Sequence, residues 1–142
     1  MIGLVLVTHG KLADEFRAAM EHVVGPQRNV ATICIGAEDD IEGCRQTIQD
    51  AITRVDQGDG VVLLTDMFGG TPSNLAISMM SRAGVEVIGG MNVPMLVKLA
   101  KVRCTRTLTE CVDCAEQAGR KYIGAASHVL QNCGAKRTGT CG

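Results

Sequence analysis

The sequence predicts a single-domain α/β protein, built as a doubly wound, mainly parallel sheet with helices on both faces. Three observations carry this expectation. Four short apolar runs, at residues 2–7, 30–35, 61–64 and 85–88, have the length of buried strands. Longer stretches between them repeat apolar residues every three or four positions, the period of a helix. Regular alternation of the two patterns implies right-handed βαβ units and therefore a parallel sheet. A chain of 142 residues, 46% of them hydrophobic, can bury a sizeable core in one domain.

The first strand, residues 2–7, leads into a helix over about 12–24. Leu12, Phe16, Ala19, Met20 and Val23 share one face of it, and Gly25-Pro26 closes it. After the second strand, 30–35, a helix over about 40–55 carries Ile41, Cys44, Ile48, Ala51, Ile52 and Val55 behind an acidic start, Glu38-Asp39-Asp40. The third strand, 61–64, ends at an acid and a glycine turn. Thr71 as N-cap and Pro72 at the first helical position then open a helix over 72–83, stopped by Gly84 as a left-handed cap. The fourth strand, 85–88, precedes a Gly-Gly loop and a helix from about 94 to 101 or 102. A capping box, Thr107 and Glu110, opens the last helix, whose apolar spacing continues to Val129. The domain is thus expected over residues 1–130, followed by a flexible Gly- and Cys-containing tail over 131–142. No repeat or interdomain linker interrupts the pattern.

Composition excludes several function classes. Aromatic residues are 2% of the chain, too few for a base-stacking platform, and the net charge of −1 argues against nucleic acid as a partner. Charge is nevertheless uneven: residues 1–60 hold five Lys/Arg against ten Asp/Glu, residues 61–142 nine against five. The basic cluster Lys98, Lys101, Arg103 and Arg106 reads first as a solvated face. Seven cysteines, an odd number with no basic leader before the N-terminal apolar run, suggest a reducing, cytoplasmic setting. The lone Cys111-x-x-Cys114 lies within a predicted helix and reads as packing, since zinc needs four ligands and a redox motif sits at a helix start. No metal or organic cofactor is expected, and the phosphate-binding loop of ATPases is missing. His22 and His128, on predicted helices without companions, read as surface or packing residues.

The chemistry-bearing residues lie at strand ends. His9 follows the first apolar run and would stand at the carboxyl edge of the sheet, where open α/β sheets hold their ligands. Asp66 occupies the same place after the third strand. If these strands are neighbours, as in the flavodoxin-like order, His9 and Asp66 face one crevice, and the helix opening at Thr71 aims its free N–H groups there.

Val7-Thr8-His9-Gly10, together with residues 65–74 (TDMFGGTPSN), closely resembles the enzyme IIA domain of the mannose family in the bacterial phosphoenolpyruvate-dependent sugar phosphotransferase system. Residues 90–96 (GMNVPML) also look like that family, and the likeness covers about residues 1–130. It implies a phosphocarrier in which His9 takes a phosphoryl group on Nε2 from the protein HPr and passes it to an enzyme IIB. The counterpart of Asp66 accepts a hydrogen bond from the other ring nitrogen, and Thr71 corresponds to a phosphate-contacting hydroxyl. Phe68 stands where many members carry Trp, a hydrophobic rim for partners. The resemblance also implies a homodimer, partly by exchange of a C-terminal strand. The tail here is a poor strand former, which leaves residues 90–96 as another interface segment. With no IIB sequence following residue 142, the acceptor is expected to be a separate protein, with a membrane permease as a further partner. A regulatory protein controlled by His9 phosphorylation, or a dihydroxyacetone kinase subunit, are the alternatives.

Physical chemistry supports these roles independently. The attacking nitrogen must be neutral, so its proton belongs on the other one, where a carboxylate fixes the tautomer and stabilises the ring as positive charge develops. Phosphoryl transfer then depends on positioning and charge stabilisation. The backbone N–H groups of Thr71, Ser73 and Asn74 are candidates to supply it, while Gly69 and Gly70 let the backbone approach closely.

Overall fold

The computed structural model describes residues 1–134. Its element order is β1 (Gly3–His9), α1 (Leu12–Val24), β2 (Val30–Ile35), α2 (Ile41–Val55), β3 (Val61–Thr65), α3 (Thr71–Ser78), β4 (Val85–Gly89), α4 (Val93–Val102), α5 (Leu108–Lys121) and α6 (Ala126–Gly134). The four strands form one parallel sheet in the order β2-β1-β3-β4. The expected adjacency of the first and third strands is therefore realised.

Successive side chains on a strand point to opposite faces, and this divides the core in two. Leu4, Leu6, Val62 and Leu64 pack with Met20 of α1, Leu96 and Leu99 of α4 and Ala115 of α5. Val5, Val7, Val61 and Leu63 pack instead with Ile48 and Ile52 of α2 and Leu75 of α3. Strands β1 and β3 are central and buried on both faces, so they read as continuous apolar runs rather than alternating ones.

Both central strands run further than the apolar residues alone predicted. β1 continues through Thr8 to His9, which pairs in register with Ile35. The Thr8 hydroxyl is fully buried and accepts the Ala13 N–H at 2.7 Å, capping α1 where Lys11 gives no side-chain bond. A polar residue can extend the strand because the following helix satisfies it.

Three helical expectations are corrected. The third helix does not reach Ala83; it ends at Ser78 and tightens into a 3₁₀ turn, Met79–Ser81. The Ser78 hydroxyl donates to the Leu75 carbonyl at 2.6 Å and also accepts from Arg45, competing with regular helix at that point. Gly84 has the expected positive φ of 75°, but an extended Arg82 separates it from the helix end. The last predicted helix is two helices, broken between Lys121 and Ala126 around Gly124, whose backbone freedom makes helix costly there. Finally, α6 extends to Gly134, so the first residues of the expected tail are helical, while residues 135–142 lie outside the described residues.

Arg103 is also corrected. Expected on a solvated basic face, it is 1% exposed at the end of α4. Its guanidinium donates to the carbonyls of Ile2, Arg28 and Asn29 and to the Gln27 side chain, tying the starts of β1 and β2 to α4. Its Nε has no partner among the described residues.

Candidate active site

Parallel pairing brings the carboxyl ends of β1 and β3 together, with Val7 opposite Thr65. His9 is the last residue of β1, and Asp66 directly follows β3. The His9 Nδ1 lies 2.9 Å from Oδ2 of Asp66, and the His9 backbone N–H donates to the same oxygen at 3.1 Å. The other carboxylate oxygen accepts the Met67 N–H at 3.1 Å and the Thr65 hydroxyl at 3.3 Å. Asp66 is thus an acceptor on every side. Burial pushes its carboxyl up, but the hydrogen bonds from the His9 ring and backbone, and attraction to the imidazole, outweigh this and hold it below the ordinary carboxylate range. An ionised Asp66 can only accept, so the ring proton belongs on Nδ1 and the lone pair on Nε2. The side chain of Asp66 is 13% exposed and that of His9 49%, leaving the ring open to a partner.

The glycine turn comes to the free nitrogen. A Cβ on Gly70 would fall 2.9 Å from both Cε1 and Nε2 of His9, so any side chain there collides with the ring. Gly69, at φ 102°, turns the backbone into this approach. Gly70 rather than Thr71 is the N-cap: its extended backbone precedes the helix, and its carbonyl accepts the Asn74 N–H at 3.0 Å. No side chain caps the helix start; Ser73 instead reaches back from inside the helix to the turn before it, accepting the N–H groups of Gly69 at 3.0 Å and Gly70 at 3.2 Å. Pro72 then sits at the second helical position, still within the turn where an N–H lacks an intrahelical partner.

Of the expected amide donors, Asn74 is spent inside the helix, whereas those of Thr71 and Ser73 have no partner among the described residues. Thr71 is exposed, and Ser73 is fully buried beneath the turn. Met67 and Phe68, 56% and 54% exposed, form an apolar rim on the same loop. The Phe68 ring lies on Gly89, where a Cβ would come within 2.5 Å of it. Asn92 caps α4 through the Met95 N–H and donates to the Gly119 carbonyl, and so shapes the loop.

The remaining candidates lie elsewhere. His22 and His128 are exposed on α1 and α6, and Cys111 is buried in the core with Cys114 half-buried beside it. Among the described residues no group of His, Cys, Asp or Glu is arranged to hold a metal ion, and no helix is long and apolar enough to cross a membrane. Sequence reasoning missed the hydroxyls of Thr8 and Ser73. Ser73 had a signal, since a serine at the third position of a helix can reach back over its start.

The profile of the family described as "PTS system fructose IIA component" matches residues 3–116. The mannose-specific EIIAB component of Escherichia coli K12 is 31% identical over 126 residues, 87% of this chain but 39% of that protein, so the chain spans well under half of that relative. A mannose/sorbose-specific IIA subunit from Enterococcus faecalis superposes with a TM-score of 0.78 at 26% identity, covering 87% of this chain and 93% of that one. A phosphotransferase-system EIIA from Streptococcus agalactiae shares the fold at a TM-score of 0.82 and 24% identity, covering 90% and 99%. With the His-Asp pair and the Gly-Gly turn at the edge of this sheet, the chain belongs to the mannose and fructose family of phosphotransferase-system IIA components.

Proposed function

We propose that the chain is a phosphocarrier that accepts a phosphoryl group from phospho-HPr on His9 Nε2 and passes it to an enzyme IIB component. The reading rests above all on the contact of His9 Nδ1 with Asp66 Oδ2 at 2.9 Å, beside a glycine backbone closing on the opposite ring nitrogen. In the first step the Nε2 lone pair attacks phosphorus as the bond to the HPr histidine breaks. The proton stays on Nδ1, where Asp66 stabilises the growing positive charge of the ring. The amide and hydroxyl of Thr71, at the positive end of α3, bind the phosphoryl oxygens, with Gly70 allowing the close approach, while the Ser73 amide, expected there from the sequence, lies buried beneath the turn. One such donor aimed at developing charge contributes about 3 kcal/mol. The second step is the reverse displacement, onto the IIB acceptor. The carrier works in the cytoplasm as a homodimer, beside a membrane permease, and its own chemistry needs no metal or organic cofactor.

Labelling with phospho-HPr tests this. The wild-type chain is expected to take up one phosphate, stable in base and lost in acid, and His9→Ala to take up none while keeping its circular dichroism spectrum. Label retained in that variant, or an acid-stable linkage, overturns the assignment.

A further inference from the structure

The Ser73 hydroxyl has a complete set of hydrogen bonds, all inside the glycine turn. It accepts from the N–H groups of Gly69 at 3.0 Å and Gly70 at 3.2 Å, and it donates to the Gly70 carbonyl at 3.0 Å. A hydroxyl offers one donor and two acceptor sites, so nothing remains for a ligand. The residue is 0% exposed, beyond the reach of any docked partner. Yet it holds Gly70, where a Cβ would fall 2.9 Å from His9 Nε2.

The same bonds settle two electrostatic matters. The Gly70 carbonyl, whose oxygen would repel a phosphoryl group, is bound from the helix side by the Ser73 hydroxyl and the Asn74 N–H. The amides of Gly69 and Gly70 are occupied, whereas that of Thr71, on an exposed residue at the helix start, has no partner among the described residues.

From this we infer that Ser73 is a positioning residue for phosphoryl transfer. Its hydroxyl fixes the height of Gly70 against the attacking nitrogen and keeps the Gly70 carbonyl turned into the helix. The inference rests on the reading of His9 as the phosphoryl acceptor.

The test compares wild type, Ser73→Ala and the hydroxyl-retaining Ser73→Thr by the rate of labelling from phospho-HPr. In Ser73→Ala the rate at saturating donor is expected to fall by roughly tenfold to a hundredfold, the scale of a small misplacement of reacting groups. The donor KM should stay unchanged, because the hydroxyl lies outside the docking surface, and Ser73→Thr should recover most of the rate. Nuclear magnetic resonance of the wild-type protein gives a readout that needs no variant. The amides of Gly69 and Gly70 should exchange slowly, and on phosphorylation their shifts should move less than that of Thr71. Fast exchange at both glycines, or an unchanged saturated rate in a folded Ser73→Ala, overturns the inference while leaving the phosphocarrier reading intact. A wild-type chain that phospho-HPr does not label at His9 overturns both.

Discussion

The Asp66 carboxylate controls the imidazole through one oxygen that receives both the ring N–H and the backbone N–H of His9. Asp66→Asn preserves an acceptor there but removes the charge that stabilises the ring during transfer. Its labelling rate should fall on the order of a hundredfold, as measured with phospho-HPr in stopped reactions. The lowered carboxyl pKa also has a stability consequence. A group whose folded pKa lies below its unfolded one stabilises the native state fully above the unfolded value and loses that contribution as pH falls through the folded value. Between about pH 5 and pH 2, denaturant titrations should therefore show wild type losing more stability than Asp66→Asn. Gly70→Ala places a methyl 2.9 Å from Nε2 and should abolish labelling while the melting temperature changes little.

At the level of elements, helix ends decide where functional side chains lie. The α1 start is capped from a distance by buried Thr8, which fixes the turn that follows His9 at the end of β1. The α5 start carries a full capping box, with the Thr107 hydroxyl accepting the Glu110 N–H and the Glu110 carboxylate accepting the Thr107 N–H. Thr107→Ala should lower stability by about 1 kcal/mol, read as a shifted denaturation midpoint, with labelling unaffected because this cap lies at the far end of the sheet. Thr107 was legible because its partner is three residues away. The break between α5 and α6 was not, because its apolar spacing runs on through Gly124 and only the backbone path departs from it.

For the whole molecule, two apolar layers on either side of the sheet hold the active-site edge rigid, and Arg103 closes the opposite edge. Its guanidinium donates to the carbonyls of Ile2, Arg28 and Asn29, the last of which also accepts the Leu4 N–H. Arg103→Ala removes those donors from a buried position and should destabilise the fold by about 3 kcal/mol, measured by chemical denaturation, while any protein still folded labels normally. No local pattern reveals such a residue. The segments it joins lie more than seventy residues away in sequence, and its charge makes it look like surface.

Local order fixed much in advance. The strand and helix periods, the parallel connectivity, His9 and Asp66 at strand ends and the glycine turn before α3 all follow from residues close together in the chain, because each depends on short-range sterics and on one-face burial. Tertiary structure alone decided that one carboxylate oxygen serves both N–H groups of His9, and that Gly70 rather than Thr71 caps the helix. It also hid Ser73 and Arg103 inside the protein. Each of these depends on which distant groups satisfy a buried polar atom, and that is set only when the sheet and its helices have packed.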